Sequence, residues 1–157
     1  MKRYTYWPRL FLGITFNYGL ILGWTSISGQ LDIIPIIFYL GAIFWTLGYD
    51  TVYGYQDIQD DEIIGLKSTS IKFKGTAKYF LMITYLILII SLLIGGYTMG
   101  FGLYYYLFLI LPISHLFFYQ VKIFDPSNPN TCLKIFKSNN YLGLIILINI
   151  ILGKNLL

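Results

Sequence analysis

The chain has few of the residues on which most soluble enzymes depend. Only 11% of its 157 residues are charged, against about 25% in soluble globular domains, and this excludes an ordinary soluble fold. A lone cysteine, Cys132, excludes both a disulfide framework and a Cys-x-x-Cys metal site. The single histidine, His115, is interpreted as a packed group, because the apolar runs hold too few polar residues for a Ser-His-Asp triad.

Two common phosphate and metal motifs are also absent from the sequence. No Gly-x-x-x-x-Gly-Lys-[Ser/Thr] pattern occurs, which excludes a Walker loop. An EF-hand that begins at Asp57 is excluded because its sixth position is Glu62, where the tight loop needs glycine. The net charge of +4 needs no nucleic acid partner, because a basic fringe beside anionic membrane lipid accounts for it.

Long apolar runs dominate what is present. The chain is 57% hydrophobic and 19% aromatic, and a helix needs about 20 apolar residues to cross the hydrocarbon core of a bilayer. Five such runs occur, at residues 10–28, 33–50, 79–97, 101–121 and 141–157. They predict an all-α fold, a polytopic membrane helix bundle that forms a single domain over residues 1–157.

The basic residues predict the orientation of this bundle. Five crossings in series put the N-terminus, residues 56–78 and residues 122–137 on one side, which then holds ten of the eleven basic residues. Lysine and arginine collect on the cytoplasmic side of membrane proteins. We therefore expect an integral protein of a bacterial-type inner membrane, with these segments facing the cytoplasm.

The acidic residues are concentrated at the end of the second run. Five of the seven lie between residues 50 and 62. Asp50, Asp57 and Asp61 are spaced i, i+7 and i+11, which predicts one face of a helix, with Gly54 leaving room on the same face. Like charges on one face repel each other, but Mg²⁺ binds carboxylate oxygens and keeps substrate phosphate among its other ligands.

A basic, hydroxyl-rich loop follows the acidic segment directly, at residues 67–74. Lys67 in this loop is well placed to meet phosphate oxygens, so residues 50–74 together predict a cytoplasmic diphosphate site. Two other interpretations stay open at this point. The charges could form a solvated loop beside a membrane helix, or an acidic ring that attracts Mg²⁺ in a cation transport protein.

Three patterns in these segments resemble one known family. They are Y-D-T-x-Y-G-x-x-D-x-x-D-D over residues 49–61, G-x-K-S-T over residues 65–69, and M-K-R-Y-T-x-W-P over residues 1–8 ahead of L-F-L-G. The chain is similar to the intramembrane aromatic prenyltransferases of the UbiA superfamily. Within it, the branch that prenylates 4-hydroxybenzoate in ubiquinone biosynthesis is the most similar.

The resemblance covers the back half of that family's fold. Family members have nine membrane helices and two Asp-rich motifs that face each other across a cavity. This chain offers five helices and looks like the part with the second motif. A front half of four helices, with the first motif, would then be a missing partner. The chain is expected to be a partial enzyme or, as the alternative, a non-catalytic remnant or partner subunit.

The activity that the resemblance implies is Mg²⁺-dependent transfer of a polyprenyl group from polyprenyl diphosphate to 4-hydroxybenzoate, next to membrane lipid. On the matching positions, Asp50, Asp57 and Asp61 would be the catalytic residues and Mg²⁺ ligands. Lys67 would contact the diphosphate. Tyr53, where the superfamily often has an acid, would contact the aromatic acceptor.

Overall fold

A computed structural model describes residues 2–155, and the regular elements in that range are all helical. Met1 of the N-terminal pattern and the last two residues of the expected fifth run lie outside the described residues. A 3₁₀ turn covers Lys74–Thr76 and a π-helix covers Ser114–Val121. The α-helices are α1 (Pro8–Phe16), α2 (Tyr18–Ser28), α3 (Ile33–Tyr53), α4 (Ile58–Ile63), α5 (Thr69–Lys72), α6 (Ala77–Thr98), α7 (Leu103–Phe108), α8 (Ile110–Ile113) and α9 (Pro129–Asn155).

Within residues 2–155, five helical stretches are long and apolar enough to cross a membrane. In chain order, the first to fifth spans are Pro8–Ser28, Ile33–Tyr53, Lys74–Thr98, Leu103–Val121 and Pro129–Lys154. Large apolar side chains are exposed along their outer faces, as expected of surfaces that contact lipid. The predicted all-helical membrane bundle with five spans is confirmed, and the chain is an integral membrane protein.

The fifth span begins earlier than the sequence predicted. Its helix starts at Pro129 rather than at residue 141, because Asn128 caps it. The Asn128 side-chain oxygen accepts hydrogen bonds from the backbone N–H groups of Asn130 (3.1 Å) and Thr131 (3.2 Å), and proline is well suited to the first helical position. Charge alone had assigned this stretch, with Lys134 and Lys137, to a loop.

The second and third spans pack closely along their length. A Cβ added at Gly41 would lie 2.6 Å from Ser91 Cβ, and one at Gly48 would lie 2.6 Å from Thr84 Oγ1. These two glycines therefore allow α3 and α6 to approach nearer than larger side chains would permit. The core of the bundle forms around this contact, with Leu47, Leu81, Tyr85, Leu88, Tyr105, Leu116, Ile135 and Leu142 all buried.

A buried polar network joins the fourth span to its neighbours. The fourth span changes from α to π geometry at Ser114, shortly after Pro112, which has no N–H to donate. Gln120 in the π-helix is fully buried. Its amide nitrogen donates to Asn139 Oδ1 (3.2 Å) and its oxygen accepts from the Tyr85 hydroxyl. Such pairing is needed because an unpaired amide in the core would be costly.

The N-terminal segment, residues 54–76 and residues 122–128 meet at one end of the bundle. The Lys67 N–H donates to the Lys2 carbonyl over 2.6 Å, and the rings of Tyr55 and Phe124 lie 5.5 Å apart. The charge pattern predicted that these three segments share a side. That this side faces the cytoplasm of a bacterial-type inner membrane stays a prediction.

Candidate functional site

The acidic segment does not form one continuous helix, and the predicted single face for Asp50, Gly54, Asp57 and Asp61 is wrong. The helix α3 ends at Tyr53, and α4 begins at Ile58 with Asp57 as its N-cap. Between them the chain turns through short-range hydrogen bonds, in which Tyr55 N–H donates to the Val52 carbonyl (3.1 Å). The turn places the Tyr55 ring, which is 2% exposed, in the core of the bundle. Burial of this ring favours the turn over a continuous helix.

Asp50 lies in the last turn of α3 and pairs with an arginine from the first span. Arg9 Nε lies 2.9 Å from Asp50 Oδ2, and the two side chains are 8% and 19% exposed. Gly54 leaves the space that the guanidinium fills, because a Cβ at this position would come within 1.7 Å of Arg9 Nη2. Room beside the aspartates was predicted, and a basic side chain of the same chain occupies it.

Hydroxyl groups fasten the basic loop to α3 at the same place. Thr51 Oγ1 and Thr69 Oγ1 lie 2.7 Å apart, and Arg9 Nη1 donates to Thr69 Oγ1 over 3.3 Å. Ser70 Oγ donates to the Thr51 carbonyl over 2.8 Å. Ser68, Thr69 and Ser70 are fully buried, so the start of α5 is part of the packed structure.

Asp61 and Lys67 both contact the N-terminal segment. Lys2 Nζ lies 3.2 Å from Asp61 Oδ2, with the aspartate buried and the lysine half exposed. The Lys67 ammonium lies 5.7 Å from the centre of the Tyr6 ring, within the range of a cation–π contact. The N-terminal segment therefore contributes cations to the acidic end of α3 and α4.

Asp57 differs from the other two aspartates. It is exposed, and although it occupies the N-cap of α4, its side chain accepts no capping hydrogen bond. Within residues 2–155 the structure gives its carboxylate no ion pair. Of the three predicted aspartates, Asp57 is thus the one whose oxygens are free to bind a ligand.

Tyr53 belongs to a row of aromatic side chains on α3. It is 38% exposed, and its ring lies 4.5 Å from that of Phe136 on α9. Tyr49, one turn earlier, lies 5.7 Å from Phe136, and Trp45 lies 5.8 Å from Tyr49. Trp45, Tyr49 and Phe136 also line a cavity of about 460 Å³, together with Thr46 and Asn140.

The turn after α3 holds two buried polar atoms without a hydrogen-bond partner among the described residues. These are the Tyr55 hydroxyl and the Gln56 amide nitrogen. Burial raises the pKa of the Tyr55 phenol to about 12, so the hydroxyl keeps its proton at neutral pH. Both groups are therefore hydrogen-bond donors in the turn between α3 and α4.

The donor set fits Mg²⁺ in chemistry, because the three predicted ligands supply carboxylate oxygens only. The arrangement of the three carboxylates, however, is not that of a metal site. Two of the three carboxylates are in ion pairs with Arg9 and Lys2. In the described part of the chain, no three His, Cys, Asp or Glu side chains come together in a way that could hold a metal ion. The assignment of Asp50, Asp57 and Asp61 as metal ligands stays a prediction.

Arg9 and Thr69 are central to this end of the bundle, and sequence reasoning did not identify either of them. Arg9 had been assigned to the general basic fringe, although its place at the very start of an apolar run was a signal that it could be buried. The aromatic row had a clearer signal, since Trp45, Tyr49 and Tyr53 recur every fourth residue and must share one face of a helix.

Comparison with known proteins agrees with this picture. The UbiA prenyltransferase family matches residues 1–145. The 4-hydroxybenzoate polyprenyltransferase, mitochondrial, of Bos taurus is 41% identical over 154 residues, or 98% of this chain and 41% of that protein. Its Homo sapiens counterpart is 40% identical with the same coverage. The 4-hydroxybenzoate geranyltransferase 2 of Lithospermum erythrorhizon is 39% identical over 157 residues, or 98% of this chain and 50% of that protein.

The chain therefore spans half or less of the length of these relatives. No solved structure matches it. The family match covers all five segments that build the acidic end of the bundle, namely residues 2–9, 50–54, 57–61, 67–70 and 122–128. On this match, the chain belongs to the UbiA prenyltransferase family.

Proposed function

We propose that this chain is the diphosphate-binding part of a Mg²⁺-dependent prenyltransferase, which transfers a polyprenyl group to 4-hydroxybenzoate in ubiquinone biosynthesis. The observation that carries the proposal is the charge cluster at the end of α3, where acidic and basic side chains meet at the end of an apolar bundle. Family membership and the names of the relatives support the same substrates.

Both signs of charge have a role in such a site. The substrate diphosphate is strongly anionic, so it needs cations, and lysine or arginine can meet its oxygens directly. Lys67 is our candidate for that contact. Asp57, Asp61 and Asp50 are our candidates for holding Mg²⁺, which when bound would supply positive charge to the leaving diphosphate.

The reaction is a group transfer at an allylic carbon. The carbon–oxygen bond to the diphosphate breaks, and its electron pair leaves with the diphosphate. A ring carbon of 4-hydroxybenzoate beside the hydroxyl bonds to the allylic carbon, and the ring proton is released to water. Cations fixed near the leaving oxygen favour this step, because they interact most strongly where negative charge develops.

The aromatic row on α3 supports a binding position for the aromatic acceptor next to Tyr53. Tyr53 adjoins Asp50 on the helix, and its ring packs against that of Phe136 at an interplanar angle of 41°, so a flat aromatic acid could lie against the same face. Ring faces also attract a developing allylic cation through their quadrupoles. Tyr53 is therefore our candidate for the acceptor contact, with Tyr49 beside it.

A non-catalytic role, as a remnant or a partner subunit of a longer prenyltransferase, is the second candidate. It is favoured by the ion pairs of Asp50 and Asp61, which occupy two of the three carboxylates that a metal ion would need. Under this alternative, Arg9 and Lys2 hold Asp50 and Asp61 in permanent ion pairs.

One experiment separates the two candidates. Membranes that contain the chain are assayed for transfer of labelled geranyl groups from geranyl diphosphate to 4-hydroxybenzoate. The assay is run with the chain alone and with the chain co-expressed with the portion of the Bos taurus relative that it does not cover. We expect labelled product in the co-expressed sample only, lost with EDTA and restored by Mg²⁺. No product in either sample would favour the non-catalytic role.

Variants in the active sample then assign the residues. Asp57→Ala and Asp61→Ala should each lower turnover by about tenfold or more and weaken the Mg²⁺ dependence, which is the scale of losses at metal sites. Asp60→Ala, an exposed neighbour in the same helix, is the matched control. Lys67→Ala should raise KM for geranyl diphosphate more than KM for 4-hydroxybenzoate. Equal increases would remove the diphosphate contact from Lys67.

A further inference from the structure

A second cavity, whose wall carries two lysines, lies between the fourth and fifth spans, away from α3. It has a volume of about 620 Å³. Its wall on the fifth span carries Lys134, Lys137, Ser138 and Tyr141, which recur at helical spacing and so share one face of α9. His115 from the fourth span forms part of the opposite wall. None of the residues assigned to prenyl transfer lines this cavity.

The two lysines in this cavity have no acidic partner. Within residues 2–155, neither Lys134 nor Lys137 takes part in a salt bridge, and no acidic side chain lines the cavity. A neighbouring basic cavity of about 450 Å³ gives the contrast, because there Lys78 and Lys122 share the wall with Asp125. The cavity at Lys134 and Lys137 thus has uncompensated positive charge.

The histidine adds a neutral hydrogen-bond donor to the same wall. The Gln120 amide nitrogen lies 3.2 Å from His115 Nδ1. The same amide nitrogen also lies 3.3 Å from Ser138 Oγ and 3.2 Å from Asn139 Oδ1, and it donates to His115 in the tautomer whose proton is on Nε2. Gln120 is held in this orientation because its oxygen accepts from the Tyr85 hydroxyl. His115 Nε2–H is therefore available to an oxygen anion that enters the cavity.

The position of the two lysines along the membrane-spanning helix indicates that the anion is a lipid headgroup. Lys134 and Lys137 lie five and eight residues after Pro129, the start of α9, or about 8 and 12 Å along the helix. Lysine side chains at this depth extend toward the headgroup region of the bilayer. Basic pockets between membrane helices on the positively charged side bind the phosphates of anionic lipids.

We infer that the cavity between the fourth and fifth spans binds the phosphate of an anionic phospholipid through Lys134 and Lys137, with His115 as a neutral donor. This site is separate from the proposed diphosphate site, since it uses different helices and no aspartate. Its occupancy does not depend on whether the chain catalyses prenyl transfer.

The test is native mass spectrometry of the full chain released from micelles, with dioleoyl phosphatidylglycerol or dioleoyl phosphatidylcholine added. We expect the wild-type chain to retain one phosphatidylglycerol and to prefer it over phosphatidylcholine by at least about tenfold. The double variant Lys134→Gln/Lys137→Gln should weaken retention by about 10- to 30-fold, from the contribution of two lysines near an anionic surface. Lys134→Arg/Lys137→Arg should restore it.

The matched control is Lys78→Gln/Lys122→Gln, which removes the same charge from the neighbouring cavity. It should change retention by less than threefold. An equal loss in the two double variants would show diffuse attraction to the basic face and would overturn the site. Displacement of bound phosphatidylglycerol by equimolar inorganic diphosphate would also overturn it, by assigning the cavity to a free anion. Circular dichroism of each variant confirms that the helices are intact.

Discussion

The acidic segment divides into two regions with opposite surroundings. At its start, Asp50 is mostly buried and bonded to Arg9, beside the hydroxyls of Thr51 and Thr69. Seven residues later, Asp57 is exposed and has no ion pair among the described residues. An aspartate side chain therefore contributes to folding at position 50, whereas at position 57 it is free to bind a ligand. Loss of activity in an Asp50 variant can therefore reflect loss of the fold, whereas loss of activity in an Asp57 variant reflects loss of ligand binding.

The largest effect on stability is expected from Asp50→Ala. The variant leaves the Arg9 guanidinium buried without its partner, which typically lowers the free energy of unfolding by about 3–5 kcal/mol. The measurement is chemical or thermal unfolding of the purified chain in micelles, followed by circular dichroism. The control is the pair Asp50→Leu/Arg9→Met, which replaces both charges by apolar groups and should be close to wild type. A single variant as stable as wild type would show that the ion pair contributes nothing.

A smaller loss of stability is expected from Gly54→Ala, which affects the same ion pair only by filling the space next to Arg9. Gly54 has a φ of −69°, so alanine brings no backbone strain. Its Cβ would meet Arg9 Nη2 and Ser70 Oγ, and such overpacking costs about 1–3 kcal/mol of unfolding free energy.

Gly23→Ala is the control for that measurement, because no atom of the described residues lies within 4 Å of a Cβ at Gly23. Its position inside α2 should make the variant equal to wild type or slightly more stable, since alanine is the better helix former. If Gly54→Ala and Gly23→Ala unfold alike, the arginine does not fill the space at Gly54.

The smallest effect on stability is expected from Asp57→Ala. Because the described residues give its carboxylate no capping hydrogen bond and no ion pair to lose, the free energy of unfolding should stay within about 0.5 kcal/mol of wild type. The same unfolding measurement tests this, with Asp61→Ala as the comparison, because that variant loses the contact with Lys2. A loss above about 1 kcal/mol for Asp57→Ala would mean that Asp57 also belongs to the folded network.

The sequence predicted the five spans well, because long apolar runs are a direct consequence of the thickness of the bilayer. It predicted the shared side of the basic segments for a similar reason. The late start assigned to the fifth span was avoidable, since an asparagine followed by proline is a good helix start, and the charge of Lys134 and Lys137 outweighed that signal.

The break between α3 and α4 was harder to predict. The spacing of Asp50, Asp57 and Asp61 fits one continuous helix, and it fits two short segments joined by a turn equally well. The choice between them depends on Tyr55 entering the core and on Arg9 filling the space at Gly54, which are contacts between residues far apart in the chain. Local periodicity carries no information about such partners.

The buried hydroxyls of Ser68, Thr69 and Ser70 have a consequence for any anion that reaches Lys67. Because the Thr69 and Ser70 hydroxyls tie the loop to Thr51 on α3, the loop that carries Lys67 is anchored to the helix of Asp50 before a ligand arrives. Little freedom of the backbone is then left to be lost on binding, and affinity benefits from preorganisation. A loop that closed only over its ligand would have to lose that freedom at the moment of capture.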